Sequence, residues 1–112
     1  MRVTDIAGAN FIYSRRTGSG VNDLEFFWNL ATLNLETLNG VNVTAVSGAI
    51  LTDENWHYVY GVRTGQDVAI YFDGTQVASG SGPVQDLTCV TQVLIGSNTG
   101  GTNNAKIGRA HV

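Results

Sequence analysis

Charged residues are scarce in this chain of 112 residues, making up 13% of it, with six Lys and Arg against nine Asp and Glu. An average domain carries about 25%. The net charge of −3 argues against a nucleic-acid-binding protein, which needs a basic face to follow the phosphates. Hydrophobic residues still make up 43% of the chain, which argues against intrinsic disorder. We therefore expect one small folded domain with no nucleic-acid partner.

Long apolar runs are absent as well, and none approaches the roughly 18 residues of a membrane-spanning helix. We expect no insertion into a membrane. The first ten residues contain no apolar core of a signal peptide, so they do not indicate a location. The single cysteine, Cys89, either is a small buried side chain or pairs with a cysteine outside this chain.

Strand-forming and turn-forming residues are abundant, with 13 Val, 12 Thr, 14 Gly and 10 Asn but only one Pro. Val and Thr favour strands, whereas Gly and Asn supply turns between them. The dipeptides Asn39-Gly40 and Asp73-Gly74 predict tight hairpins, and Ser47–Asn55 predicts a loop. Short alternating segments predict an all-β sandwich with eight strands, at residues 11–16, 24–29, 33–38, 41–46, 56–63, 68–72, 75–79 and 90–95.

Surface aromatic residues are the candidates for ligand binding. Successive strand residues point to opposite faces of a sheet, so if Val59 faces the core, the neighbouring tyrosines face outward. Aromatic rings can lie on the apolar faces of sugars, although Tyr is also favoured in strands for packing alone. The residues expected to form this platform on one sheet face are Phe27, Asn29, Tyr58, Tyr60 and Tyr71.

The stretch Leu51–Gly74 carries a family pattern. It contains Trp56-His57, an apolar strand ending in Tyr71-Phe72-Asp73-Gly74, and later Leu94-Ile95-Gly96. In this order the segments resemble the laminin G-like, concanavalin A-like lectin superfamily. The resemblance implies a jelly-roll sandwich of two antiparallel sheets. It also implies an extracellular or cell-surface recognition module for a carbohydrate or protein ligand, often holding calcium.

The ends of the chain depart from this family. Its usual opening strand and its closing Gly-x-Ile-Asp-Glu-Val strand are missing, so we expect residues 1–105 to be a partial domain linked to neighbouring domains in a larger protein. Residues 107–112 (IGRAHV) resemble the translation of a sequencing adaptor, and the adjoining bases complete Lys106. We therefore expect residues 106–112 to be a non-native tail. A natural continuation in the parent gene would contradict this.

Carboxylates raise two further possibilities. Asp23 and Glu25 lie two apart on a predicted strand, a spacing compatible with a glycoside hydrolase pair, but this spacing is common by chance and we expect a solvated strand edge instead. The oxygen-rich segments Asp53–Asn55 and Asn98–Asn104 suit calcium chemically without a defined calcium spacing. His57 is expected to be a packed or hydrogen-bonded residue rather than a catalytic base.

Three functions therefore stay open. The first is a non-catalytic extracellular module that binds carbohydrate or glycoconjugate, with any catalysis left to a neighbouring domain. The second is a structural or adhesive module that contacts proteins, as in a surface protein or a phage fibre. The third, a glycoside hydrolase fragment, lacks the Glu-x-Asp-x-x-Glu signature of jelly-roll glucanases.

Overall fold

The described residues form eight strands in two antiparallel sheets, in a computed structural model that describes residues 1–4, 6–15, 23–83, 85, 87 and 93–95. The first sheet has the order β4-β3-β2-β1-β8, and the second has the order β5-β6-β7. The prediction of an all-β sandwich is confirmed. The strands are β1 (Ala9–Arg15), β2 (Asp23–Asn29), β3 (Thr32–Leu38), β4 (Asn42–Ala49), β5 (Val59–Thr64), β6 (Asp67–Phe72), β7 (Thr75–Ser81) and β8 (Val93–Ile95).

Each predicted strand has a counterpart, and among the described residues the largest boundary differences, three residues each, fall at the end of β4 and at the start of β5. The predicted loop from Ser47 is wrong at its start, because β4 continues to Ala49. The buried Ser47 hydroxyl accepts a hydrogen bond from the Leu33 backbone N–H at 2.8 Å, beside a register shift between β3 and β4. A polar side chain is thus accommodated inside the strand. In addition, β5 begins at Val59 rather than at Trp56.

Both predicted hairpins are present. Asp73 (φ 49°) and Gly74 (φ 82°) connect β6 directly to β7, and positive φ at both central residues matches the twist of the flanking strands. The connection from β3 to β4 has three residues, Asn39 to Val41, because Leu38 pairs with Asn42. It contains Gly40 at φ 74°.

The apolar core fills the space between the sheets. Trp28, Leu33 and Ile70 are fully buried at 0% exposure, and they come from β2, β3 and β6. Full burial of one such side chain stabilises the fold by about 1.5–3 kcal/mol. The remaining members of the buried cluster are Val3, Phe26, Leu35, Val43, Ala45, Leu51 and Val68.

The two sheets approach each other closely where β7 packs on β4. A Cβ atom added to Gly80 would lie 2.0 Å from the Thr44 carbonyl oxygen, and one added to Gly82 would lie 2.5 Å from Val43 Cγ2. Side chains larger than hydrogen do not fit at these two positions without movement. The backbone contact at Gly80 fixes the separation of the sheets along this edge.

Polar contacts hold the chain near Gln85 and Leu87 against the sandwich. The Thr37 hydroxyl donates to Gln85 Oε1 at 2.7 Å, and the Gln85 amide donates to the Val41 carbonyl. The guanidinium groups of Arg63 and Arg15 donate to the carbonyls of Gln85 and Leu87, respectively. Both arginines therefore serve to fix this segment.

Candidate functional site

The outer face of the second sheet presents three rows of side chains. Strand pairing aligns one residue from each of β5, β6 and β7 in every row, while the alternate residues Val68 and Ile70 face the core. Adjacent rows along a strand lie about 7 Å apart by strand rise. From the β6–β7 turn outward, the rows are Tyr60, Tyr71 and Gln76; then Val62, Ala69 and Ser79; then Thr64, Asp67 and Ser81.

Two tyrosines stack in the first row. The rings of Tyr60 and Tyr71 lie with their centroids 4.8 Å apart and their planes at 7°. The Tyr71 hydroxyl donates to Gln76 Oε1 at 3.2 Å, which orients the inner ring. Tyr60 remains 42% exposed, so the ring on the edge strand is open to a ligand.

Tyr58 extends this aromatic surface beyond the end of β5. Its backbone N–H donates to Asp73 Oδ1 at 2.9 Å, and its carbonyl accepts from the Asp73 N–H at 2.8 Å. These bonds hold Tyr58 two residues before Tyr60, on the same face by strand alternation. Its side chain is 79% exposed. The structure thus pairs Tyr60 with Tyr71 and holds Tyr58 beside them, and the role of the three residues in ligand binding stays a prediction.

A polar depression of about 470 Å³ lies beside the stack, over β6 and β7. The small side chains of Ala69 and Ser79 lower its floor, and Gln76 borders it on the side of the stack. At the other end, the Ser81 hydroxyl donates to Asp67 Oδ1 at 2.7 Å. The depression therefore offers hydroxyl, amide and carboxylate groups within reach of the aromatic surface.

Sequence reasoning missed this polar part of the site. The register between β6 and β7 shifts between Ile70 and Tyr71, so that Gln76 and Ser79 share a face although they are three residues apart. Simple alternation puts residues three apart on opposite faces. The sequence feature that could have indicated these polar residues is the composition of Thr75 to Ser81 after an Asp-Gly turn.

The structure does not bring Phe27 and Asn29 to this face. Both belong to β2, in the interior of the first sheet, where the Phe27 ring lies 5.0 Å from the Phe11 ring. The expectation that all five platform residues share one sheet face is therefore wrong. Alternation indicates on which side of its own strand a residue lies, but not to which sheet the strand belongs.

His57 joins the loop before β5 to the turn between β6 and β7. Its Nδ1 lies 2.7 Å from Asp73 Oδ2 and its Nε2 lies 2.7 Å from Asp53 Oδ1. The hydrogen bond to Asp53, followed by that to Asp73, raises the pKa of His57, and the same bonds lower the pKa of both carboxyl groups. With both nitrogens engaged, His57 is a hydrogen-bonded residue, as predicted, and it also packs 4.5 Å from the Phe72 ring.

The candidate catalytic carboxylates lie elsewhere. Asp23 and Glu25 are each only 4% exposed, on a strand in the interior of the first sheet. The expectation of a solvated strand edge is wrong, because β1 and β3 flank β2. Burial closes both side chains to a substrate as large as a polysaccharide.

The calcium prediction is not tested by this structure. Asp53 accepts hydrogen bonds from His57 and from the Asn55 backbone N–H. Within the described ranges, no three His, Cys, Asp or Glu side chains converge as metal ligands. Asn98–Asn104 and Cys89 lie outside those ranges.

An apolar cleft of about 380 Å³ opens between β5 and the first sheet. Apart from Arg63 and the tyrosine hydroxyls, its side chains are hydrocarbon. A cleft of this kind offers few partners for sugar hydroxyls, whereas the outer face of the second sheet offers several. Its lining consists of Ile12, Tyr13, Leu24, Phe26, Leu35, Val59, Tyr60, Gly61 and Arg63.

Comparison with known families identifies the fold. A laminin G-like family model of the concanavalin A-like lectin and glucanase superfamily matches residues 1–109. The chain belongs to this family. No curated protein matches it. The laminin G-like assignment confirms the resemblance carried by Trp56-His57 and Asp73-Gly74, and with it the jelly-roll sandwich.

Laminin G-like domains are in general non-catalytic modules that bind carbohydrate or protein ligands, and they are typically extracellular. In the part of the chain that the structure describes, no helix is long and apolar enough to cross a membrane. Membership of this family is typical of a module that binds a carbohydrate or protein ligand.

Proposed function

We propose that this laminin G-like domain is a non-catalytic recognition module that binds carbohydrate through the outer face of β5, β6 and β7. The observation that carries the proposal is the stacked pair of Tyr60 and Tyr71 next to a depression whose lining includes the polar side chains of Asp67, Gln76, Ser79 and Ser81. Ligand sites in general combine apolar and aromatic surface with a few polar groups that fix orientation.

The chemistry of the two parts is complementary. A pyranose ring has an apolar C–H face, which lies on an aromatic ring, and a rim of hydroxyls, which need donors and acceptors. Tyr58 and Tyr60 offer exposed ring surface at 79% and 42% exposure. Gln76, Ser79 and Ser81 offer hydrogen-bonding groups. Tyr60 is already held against Tyr71, so little side-chain entropy is lost when a ligand binds.

The wider setting follows from the family. We expect the module to act outside the cell or at its surface, within a larger protein whose neighbouring domains are covalently linked to it. A catalytic neighbour would make it a targeting module for that enzyme.

A glycan array tests the proposal, using the full chain with and without added calcium. Tyr60→Ala should abolish binding that Tyr60→Phe retains, because the ring and not the hydroxyl contacts the sugar. Val46→Ala is the matched control, since Val46 is exposed to 53% on β4 of the other sheet. Folding of each variant is checked by its urea midpoint.

Two outcomes would contradict the proposal. Binding that is unchanged in Tyr60→Ala would exclude this face as the site. Absence of glycan binding under both calcium conditions would favour the structural or adhesive alternative instead.

A further inference from the structure

We propose that the outer face of β5, β6 and β7 selects uncharged oligosaccharides and rejects sulfated or sialylated ones. This inference rests on the proposed carbohydrate-binding function and specifies its ligand class. It follows from the distribution of charge and of ring surface over the three rows.

The charge on this face is negative. Among the nine residues that form the three described rows, Asp67 alone carries a full charge at neutral pH. It lies at the end of the depression and accepts a hydrogen bond from Ser81 at 2.7 Å. A carboxylate accepts hydrogen bonds from sugar hydroxyls but repels a sulfate or carboxylate on the ligand.

Among the residues that the structure describes, the cations near this face are directed elsewhere. Arg63 pairs in register with the buried Val68 and donates its guanidinium to the Gln85 carbonyl. The guanidinium of Arg2 lies 5.9 Å from the ring centroid of Trp56, outside the rows. His57 is held between two carboxylates, so this cluster contributes no net positive charge. Nothing in the three rows compensates an anionic group.

The shape of the face favours an oligosaccharide over a single sugar. Tyr71 and Asp67 are four residues apart on β6, about 13 Å by strand rise, and Ala69 lies between them. Ring contacts are available at one end of this line and hydrogen-bonding groups at the other. One pyranose ring does not span both ends, so successive units of a chain would occupy them.

The test compares one neutral oligosaccharide with its sulfated and sialylated derivatives, using wild type, Tyr60→Ala, Asp67→Asn and Asp67→Lys. We expect wild type to bind the neutral ligand about twofold to fivefold more tightly than either derivative, because one exposed carboxylate opposes the added negative charge. Asp67→Lys exchanges this repulsion for attraction, so it should remove or reverse the preference. Gln66→Lys is the control, since Gln66 lies in the adjacent turn and outside the rows.

The outcomes separate the two proposals. Tighter binding of the neutral ligand than of both derivatives, removed by Tyr60→Ala, supports both proposals. Equal or tighter binding of the sulfated or sialylated ligand, also removed by Tyr60→Ala, would overturn the selection for uncharged ligands and leave the carbohydrate site in place. No binding of any of the three would refute the carbohydrate site itself. If Asp67→Lys lowers the urea midpoint, Asp67→Asn still tests the charge, and a preference unchanged in Asp67→Asn would contradict its role.

Discussion

The close approach of β7 to β4 predicts a large and specific effect of Gly80→Ala. The new Cβ would lie 2.0 Å from the Thr44 carbonyl oxygen and 2.7 Å from its carbon, whereas ordinary contact begins at 3.4 Å. Both atoms belong to the backbone of a paired strand, so no side chain can rotate away. The sheets must separate along this edge, or β7 must shift its register.

The magnitude follows from the cost of overpacking a core. Extra methyl groups in well-packed sites typically cost about 1–3 kcal/mol, and occasionally more. Because the obstacle here is rigid backbone, we expect Gly80→Ala to lower the free energy of unfolding by about 3 kcal/mol or more. That is a large part of the roughly 5–15 kcal/mol that stabilises a typical domain.

Gly48→Ala provides the matched control. Gly48 also lies in an antiparallel strand, β4, but a Cβ there would meet no heavy atom within 4 Å. Because Gly loses more backbone freedom on folding than Ala, this change should be neutral or stabilise the protein by about 0.5–1 kcal/mol. The two variants thus add the same methyl group, but only Gly80→Ala is expected to lower the free energy of unfolding.

Urea unfolding of wild type and both variants measures the difference, with the slope of the transition used to check two-state behaviour. A Gly80→Ala midpoint equal to that of Gly48→Ala would refute the contact between Gly80 and Thr44. It would also show that this contact does not fix the separation of the sheets.

Three further predictions concern the core and the polar contacts. Leu33→Ala should cost about 2–5 kcal/mol in unfolding free energy, and a loss below 1 kcal/mol would contradict its full burial. Gln85→Ala should cost about 1–3 kcal/mol by leaving the buried Thr37 hydroxyl without its acceptor; Gln66→Ala, in an exposed turn, should be neutral. Folding raises the pKa of His57, so the protonated histidine stabilises the folded state. This stabilisation is complete below the ordinary histidine pKa of 6.5 and is lost as the pH rises through the raised pKa of the folded protein. On the acid side it is lost as the two aspartates protonate below 3.8. The wild-type urea midpoint should therefore fall relative to that of His57→Gln as the pH rises above 6.5, and parallel profiles would contradict this.

Much of the fold was predictable because strand formation is encoded locally. Alternation along Val68 to Phe72 indicated a strand with one buried face, and Asp73-Gly74 indicated the turn that follows it. Boundaries were less predictable where a tertiary contact decided them. The composition of Ser47–Asn55 is typical of a loop, but the Leu33 N–H donates to the Ser47 hydroxyl and β4 continues to Ala49.

The candidate site was only partly predictable. The three tyrosines share a face because their positions follow the period of two along β5 and β6, which the sequence displays. Asn29 was assigned to the same face because parity does not identify the sheet. Gln76 and Ser79 were missed because the register shift opposite Tyr71 breaks the parity of β7.

Local sequence signals were sufficient to specify the class of the protein. Its low charge, its turn dipeptides and its alternating Val- and Thr-rich segments specify short antiparallel strands, since each of these signals acts within a few residues. Its order of motifs identified the laminin G-like family. Tertiary structure decided the rest. It selected which strands pair, brought Asp53 and Asp73 to the two nitrogens of His57, and directed Arg63 to the Gln85 carbonyl. It thereby left an outer face with stacked tyrosines and one carboxylate. Such pairings cannot be predicted from a local sequence pattern, because they depend on contacts between residues far apart in the chain.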